Sequence, residues 1–144
     1  MSSDEIRSFL DRFRQAWARQ DLTALMACYA DECVVVSPIF GTVTGKARVE
    51  KQYVDLFKAF QTHQITVVDT VIGDETPPRA VAVWGFQSSQ IGEVFGMPPS
   101  GKRVERTIAF ILTLDGGLIT KETRIYDFTS MLIQLGVLKV KPAN

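Results

Sequence analysis

Between His63 and Tyr126 the chain holds no helix-length segment, and this limits its fold more than any other feature. Four β-rich stretches follow one another: Ile65–Ile72, Ala80–Ile91, Lys102–Leu114 and Leu118–Tyr126. They are separated only by Gly73-Asp-Glu-Thr-Pro-Pro78, the loop Phe95–Gly101 and the tight turn Asp115-Gly116-Gly117. Parallel neighbours need a crossover of roughly a dozen residues or more, so short links predict antiparallel pairing.

The first half reads differently. Ser2 and Glu5 fit a capping box, and Ile6, Phe9, Leu10, Phe13 and Trp17 form one apolar stripe of a helix over 2–20. Asp21 caps a shorter helix carrying Leu22, Leu25, Met26 and Tyr29. Cys33-Val-Val-Val-Ser37, ended by Pro38, is a short strand, and Phe40–Gly45 is a turn or hairpin. A third helix carries Val49, Tyr53, Leu56, Phe57 and Phe60 on one side. The apolar segment Phe128–Leu138 opens as a helix and stops near Gly136. The order predicts an α+β protein: one domain over 1–144, a cone-shaped roll whose curved antiparallel sheet wraps around helices. Such a sheet leaves a hollow for a hydrophobic small molecule. In the third long strand Val104, Ile108, Phe110, Leu112 and Leu114 share one face, and Glu105, Thr107, Ala109, Ile111 and Thr113 the other.

Charge excludes some classes of partner. Lys plus Arg and Asp plus Glu number 16 each, so no net field attracts nucleic acid or an anionic membrane. No apolar run reaches the roughly 20 residues of a bilayer span, and the polar N-terminus is no signal peptide, which predicts a cytoplasmic protein. Cys28, Cys33 and His63 match no standard zinc spacing, so no metal or cofactor is expected, and the two thiols read as buried. Gly96-Met-Pro-Pro-Ser-Gly101-Lys102 imitates a phosphate loop. However, Arg103 stands where Ser or Thr is needed, and Pro98 and Pro99 lack the N–H groups that cradle phosphate.

Three segments together resemble the SnoaL-like polyketide cyclases. Gly92-Glu-Val-Phe-Gly-Met-Pro-Pro-Ser-Gly-Lys102 is similar to their G-E-F-x-G-x-P-P-T-G-K loop. Asp115-Gly-Gly-Leu-Ile-Thr-Lys-Glu-Thr-Arg-Ile-Tyr-Asp127 is similar to their D-G-K-I-x-E-x-W-x-x-x-D strand, and Gln134-Leu135-Gly136 to their Q-L-G. The family belongs to the ketosteroid-isomerase-like superfamily of cone-shaped rolls, in agreement with the element order. The resemblance implies that Asp127 is the general acid/base of a metal-free intramolecular aldol condensation. A carboxylate desolvated in an apolar pocket becomes a better proton carrier near neutral pH. A helix cap is the competing role for Asp127.

The chain departs from its relatives at several positions. Gln90 stands where the family often has histidine, and Arg124 stands for its tryptophan. Arg124 is expected either to pair with Asp127 or to face solvent. Phe13 replaces the oxyanion-hole tyrosine of ketosteroid isomerases, and Ser37 replaces their aspartate base, which argues against that isomerisation. The strand Ala80–Gln90 lacks the arginine and aspartate of limonene-type epoxide hydrolases. The candidate ligand contacts are Trp84, Gln87, Gln90, Ser37, Phe13 and Tyr53. His63 reads as a helix-end residue, and Arg103 and Arg106 as a solvated patch. A homodimer is expected, with the open sheet face covered by a second copy. The alternatives to an enzyme are a ligand-binding protein without turnover and a protein-interaction domain.

Overall fold

The computed structural model describes residues 1–141. The elements are α1 (Ser3–Arg19), α2 (Leu22–Met26), β1 (Tyr29–Ser37), β2 (Gly41–Thr44), α3 (Lys46–Ala59), β3 (Phe60–Gly73), β4 (Arg79–Gln90), β5 (Arg103–Asp115), β6 (Leu118–Ile125) and α4 (Phe128–Gln134). The chain is an α+β protein built on one six-stranded sheet in the order β2-β1-β6-β5-β4-β3.

Local signals set most boundaries. Ser2 and Glu5 form the reciprocal capping box of α1, which buries Ile6, Phe9, Leu10, Phe13, Ala16 and Trp17. The Asp21 carboxylate accepts from the Ala24 N–H at 3.0 Å and starts α2. Asp115 pairs with Leu118 across Gly116 and Gly117, both at positive φ, the backbone that a two-residue primed hairpin turn requires.

Two expectations need correction. The sheet is mixed: β2 pairs antiparallel to β1, but β1 pairs parallel to β6 (Val34 with Lys121, Val36 with Thr123). Nothing local to β1 encodes this, because its partner lies beyond α3 and four intervening strands. The third helix also ends sooner, since Phe60 already opens β3. His63 therefore lies in a strand, where its Nε2 is 2.6 Å from the Ser89 hydroxyl.

The core lies between the inner sheet face and the helices. Phe13 sits at its centre, with ring centroids of Tyr29 at 6.1 Å, Trp84 at 5.6 Å and Phe110 at 5.8 Å. The inner face of β5 is the apolar one: Val104, Ile108, Phe110, Leu112 and Leu114 are all buried. Val68, Val71 and Ile125 are exposed and share the outer face with Val81 and Ile111.

The chain leaving β4 docks on the end of α3, with Ile91 and Gly92 both donating to the Ala59 carbonyl. A Cβ on Gly92 would lie 2.1 Å from the Lys58 carbonyl oxygen, a backbone atom that cannot swing aside. Gly92→Ala should therefore cost roughly 1–3 kcal/mol or more, as forced overpacking does, read as a lower urea midpoint at unchanged slope.

Candidate functional site

Alternation along β5 and β6 aims Arg106, Glu122 and Arg124 inward, among residues that are otherwise apolar. Glu122 and Arg124 are buried. Arg124 Nε donates to Glu122 Oε2 at 2.5 Å, and the Tyr29 hydroxyl donates to Glu122 Oε1 at 2.6 Å. The hydroxyls of Tyr29 and Tyr53 lie 2.5 Å apart, and an Arg124 terminal nitrogen donates to the Tyr53 oxygen at 3.0 Å. The Arg124 guanidinium also lies 5.1 Å from the ring centre of Trp17 and 5.0 Å from that of Tyr53.

This closed network holds its charges firmly. Burial pulls the Arg124 guanidinium down, but Glu122 and the two tyrosines more than restore it, so its pKa stands above the usual arginine value. Burial pushes both the Tyr29 and Tyr53 phenols up. None of the three is a proton carrier at working pH. Arg124 thus neither pairs with Asp127 nor faces water.

Arg106 lies differently. Its guanidinium is ringed by Phe60, Phe86 and Tyr126, at 5.4–5.7 Å from their ring centres. One terminal nitrogen is 3.3 Å from the Met131 sulfur, and its Nε is enclosed without a hydrogen-bond partner. Burial, reinforced by nearby Arg124 against the pull of Tyr126, brings its pKa down to about 10. It is not part of a solvated patch with Arg103.

Arg106 borders two spaces. Inside the cone, beside Trp17, Ser37, Phe40, Arg124 and Tyr126, is a cavity of about 10 Å³. That is roughly the room of one water, so the wide hollow expected from the sequence is closed by aromatic side chains. On the other side is an open groove of about 420 Å³, bordered by Thr66, Gln87, Glu105, Asp127 and Ser130.

The groove unites two of the sequence candidates, Asp127 and Gln87. Asp127 is exposed and is the N-cap of α4, its Oδ1 accepting from the Ser130 N–H at 2.8 Å. Its carboxylate is therefore not in the apolar pocket expected for it, because the chain turns outward after Tyr126 to begin α4. Ser37 borders the inner cavity and its hydroxyl accepts from the Phe40 N–H. Tyr53 belongs to the buried network. Phe13 and Trp84 pack in the core. Gln90 is buried but fastens the following loop, donating to the Gly92 and Pro98 carbonyls and accepting from Ser100. Cys28 and Cys33 are buried free thiols, and burial pushes Cys28 up to about 11.

The Glu122–Arg124 pair and Arg106 were not foreseen as site residues. Alternation on β5 places Arg106 on the face that carries Ile108 and Phe110, but on β6 a register shift between Ile119 and Lys121 turns Glu122 and Arg124 to that face, which a strict period of two from Ile119 does not give.

The model of the SnoaL-like domain matches residues 10–122. The chain belongs to the SnoaL-like family. Solved structures share its fold. A candidate polyketide cyclase from Pseudomonas putida KT2440 superposes with a TM-score of 0.79 at 15% identity, covering 88% of this chain and 94% of that one. AclR, a candidate hydroxylase from Streptomyces galilaeus, gives 0.80 at 23% identity, covering 98% and 91%. A protein with the ketosteroid-isomerase-like fold from Catenulispora acidiphila, bound to trimethylamine, gives 0.73 at 18%, covering 89% and 92%. No curated protein matches the chain. No helix of this SnoaL-like domain, among the described residues, is long and apolar enough to cross a membrane.

Breaking the buried pair leaves a lone charge in the core. Glu122→Leu or Arg124→Met alone should cost about 3–5 kcal/mol, whereas the double replacement Glu122→Leu/Arg124→Met should cost clearly less than the sum. Urea unfolding of the four species closes the cycle.

Proposed function

We propose that this SnoaL-like protein is a small-molecule enzyme of the cytoplasm. It performs cofactor-independent acid/base chemistry on a hydrophobic, polyketide-like carbonyl compound seated in the groove at Asp127. One observation carries this reading: Asp127 borders an open groove of about 420 Å³ together with the sequence candidate Gln87. Asp127 uses only Oδ1 in capping, which leaves Oδ2 free to take up a proton. In the proposed reaction it takes a proton from a carbon beside a carbonyl. The resulting enolate closes onto a second carbonyl, and the alkoxide formed takes the proton back. In an isomerisation the proton returns to another carbon. The polyketide cyclase and isomerase names among structures of the same fold support this class of chemistry.

Asp127→Asn and Asp127→Ser keep a capping oxygen and remove the carboxylate, so stability should change little. Exchange of the acidic carbon protons of polycyclic β-diketones in D₂O, followed by mass spectrometry, should fall roughly 10²–10⁴-fold in both variants. Undiminished exchange in Asp127→Asn would leave Asp127 as a cap alone and favour a ligand-binding protein without turnover.

We also propose a homodimer through the outer sheet face, where Val68, Val71 and Ile125 are exposed. A net charge of zero sets no repulsion against a second copy. Sedimentation equilibrium should give about twice the chain mass, and Val68→Lys/Val71→Lys should give monomer; a wild-type monomer would reject it.

A further inference from the structure

We propose that Arg106 holds the carboxylate of an aromatic or alicyclic acid, with the Met131 side chain as the placeholder that this carboxylate displaces. The inference concerns the inner cavity of the cone, separate from the groove at Asp127, and it names the chemical class of the ligand held there.

Charge is the first argument. Two guanidiniums, Arg106 and Arg124, line the inner cavity. The only carboxylate within salt-bridge distance of either, among the described residues, is Glu122. Both Glu122 oxygens are engaged, one by Arg124 and the other by Tyr29. The cluster therefore keeps one positive charge without a partner, on Arg106.

Hydrogen bonding is the second argument. A guanidinium carries five donors. Arg106 offers one to a thioether sulfur, a weak acceptor, while its enclosed Nε has none. Trp17 also lines the cavity, and its indole Nε1 is likewise buried without a partner. Both orphans are donors, so a matching ligand group must accept. A carboxylate accepts on two oxygens and fits the planar fork of arginine, which a carbonyl alone does not.

Shape is the third argument. The faces around Arg106 are the rings of Phe60, Phe86 and Tyr126. They suit a flat, apolar ligand body more than a sugar or a phosphate ester. Met131 is fully buried in α4, a helix of one short span, and its unbranched side chain adapts readily. The Arg106 guanidinium lines the inner cavity and lies against Met131, so a ligand carboxylate reaches it from the α4 side by displacing Met131.

Calorimetry on the full chain with 2-naphthoate and its neutral isostere 2-naphthamide tests this. The acid should bind about tenfold tighter or more, as hydrogen bonds to charged groups do. Arg106→Gln should bring the acid to the affinity of the amide, and Arg106→Lys should keep part of the preference. Arg103→Gln, a nearby exposed charge, should leave it intact. Met131→Ala should tighten naphthoate binding by vacating the space. Equal binding of acid and amide to the wild type would overturn the proposal. So would a preference that survives Arg106→Gln, or no binding of the acid to either the wild type or Met131→Ala. These readouts need no turnover: loss of exchange in the Asp127 variants with acid preference intact, or the reverse, separates the two readings.

Discussion

A carboxylate and a guanidinium two residues apart on β6, both shut away from water, govern the interior of this molecule. Neither tolerates burial alone, so the surroundings are arranged to serve them. Tyr29 from β1 and Tyr53 from α3 supply hydroxyls, and Trp17 from α1 supplies a ring face. Three elements far apart in the chain are thereby held to one point on the sheet. Buried ion pairs add little net stability over apolar groups in general, so the pair is better understood as fixing which arrangement forms than as adding stability.

The element order was legible because it depends on periodicity and turn chemistry, both of which are local. The capping box at Ser2 and Glu5, the stripe from Ile6 to Trp17 and the Gly116-Gly117 turn can each be read within a few residues. The parallel pairing of β1 with β6 cannot, because no residue near Val34 encodes a partner at Lys121. The site was half legible. Motif resemblance pointed to Asp127, and the structure brings it beside Gln87 on one groove. The inward arginines were hidden by the ordinary expectation that arginine faces water, which holds only when no partner waits inside.

Two kinds of polar residue serve this fold. Gln90 and Asp127 act on backbone: one clasps the loop from Gly92 to Ser100, the other starts α4. Arg106 and Arg124 act on rings and on charge. The two kinds meet at α4, where the residue that caps the helix borders the groove and Met131 touches Arg106. Movement of that one short helix would alter both the wall and the mouth of the space.

The parallel seam between β1 and β6 has a kinetic consequence. Tyr29 lies opposite Ile119 and bonds to Glu122, so the first strand finds its permanent neighbour only after nearly the whole chain has left the ribosome. Contacts of such long sequence separation slow folding. Until β6 is synthesised, the β1–β2 hairpin waits with a bare edge, the kind of unpaired strand that invites misassociation.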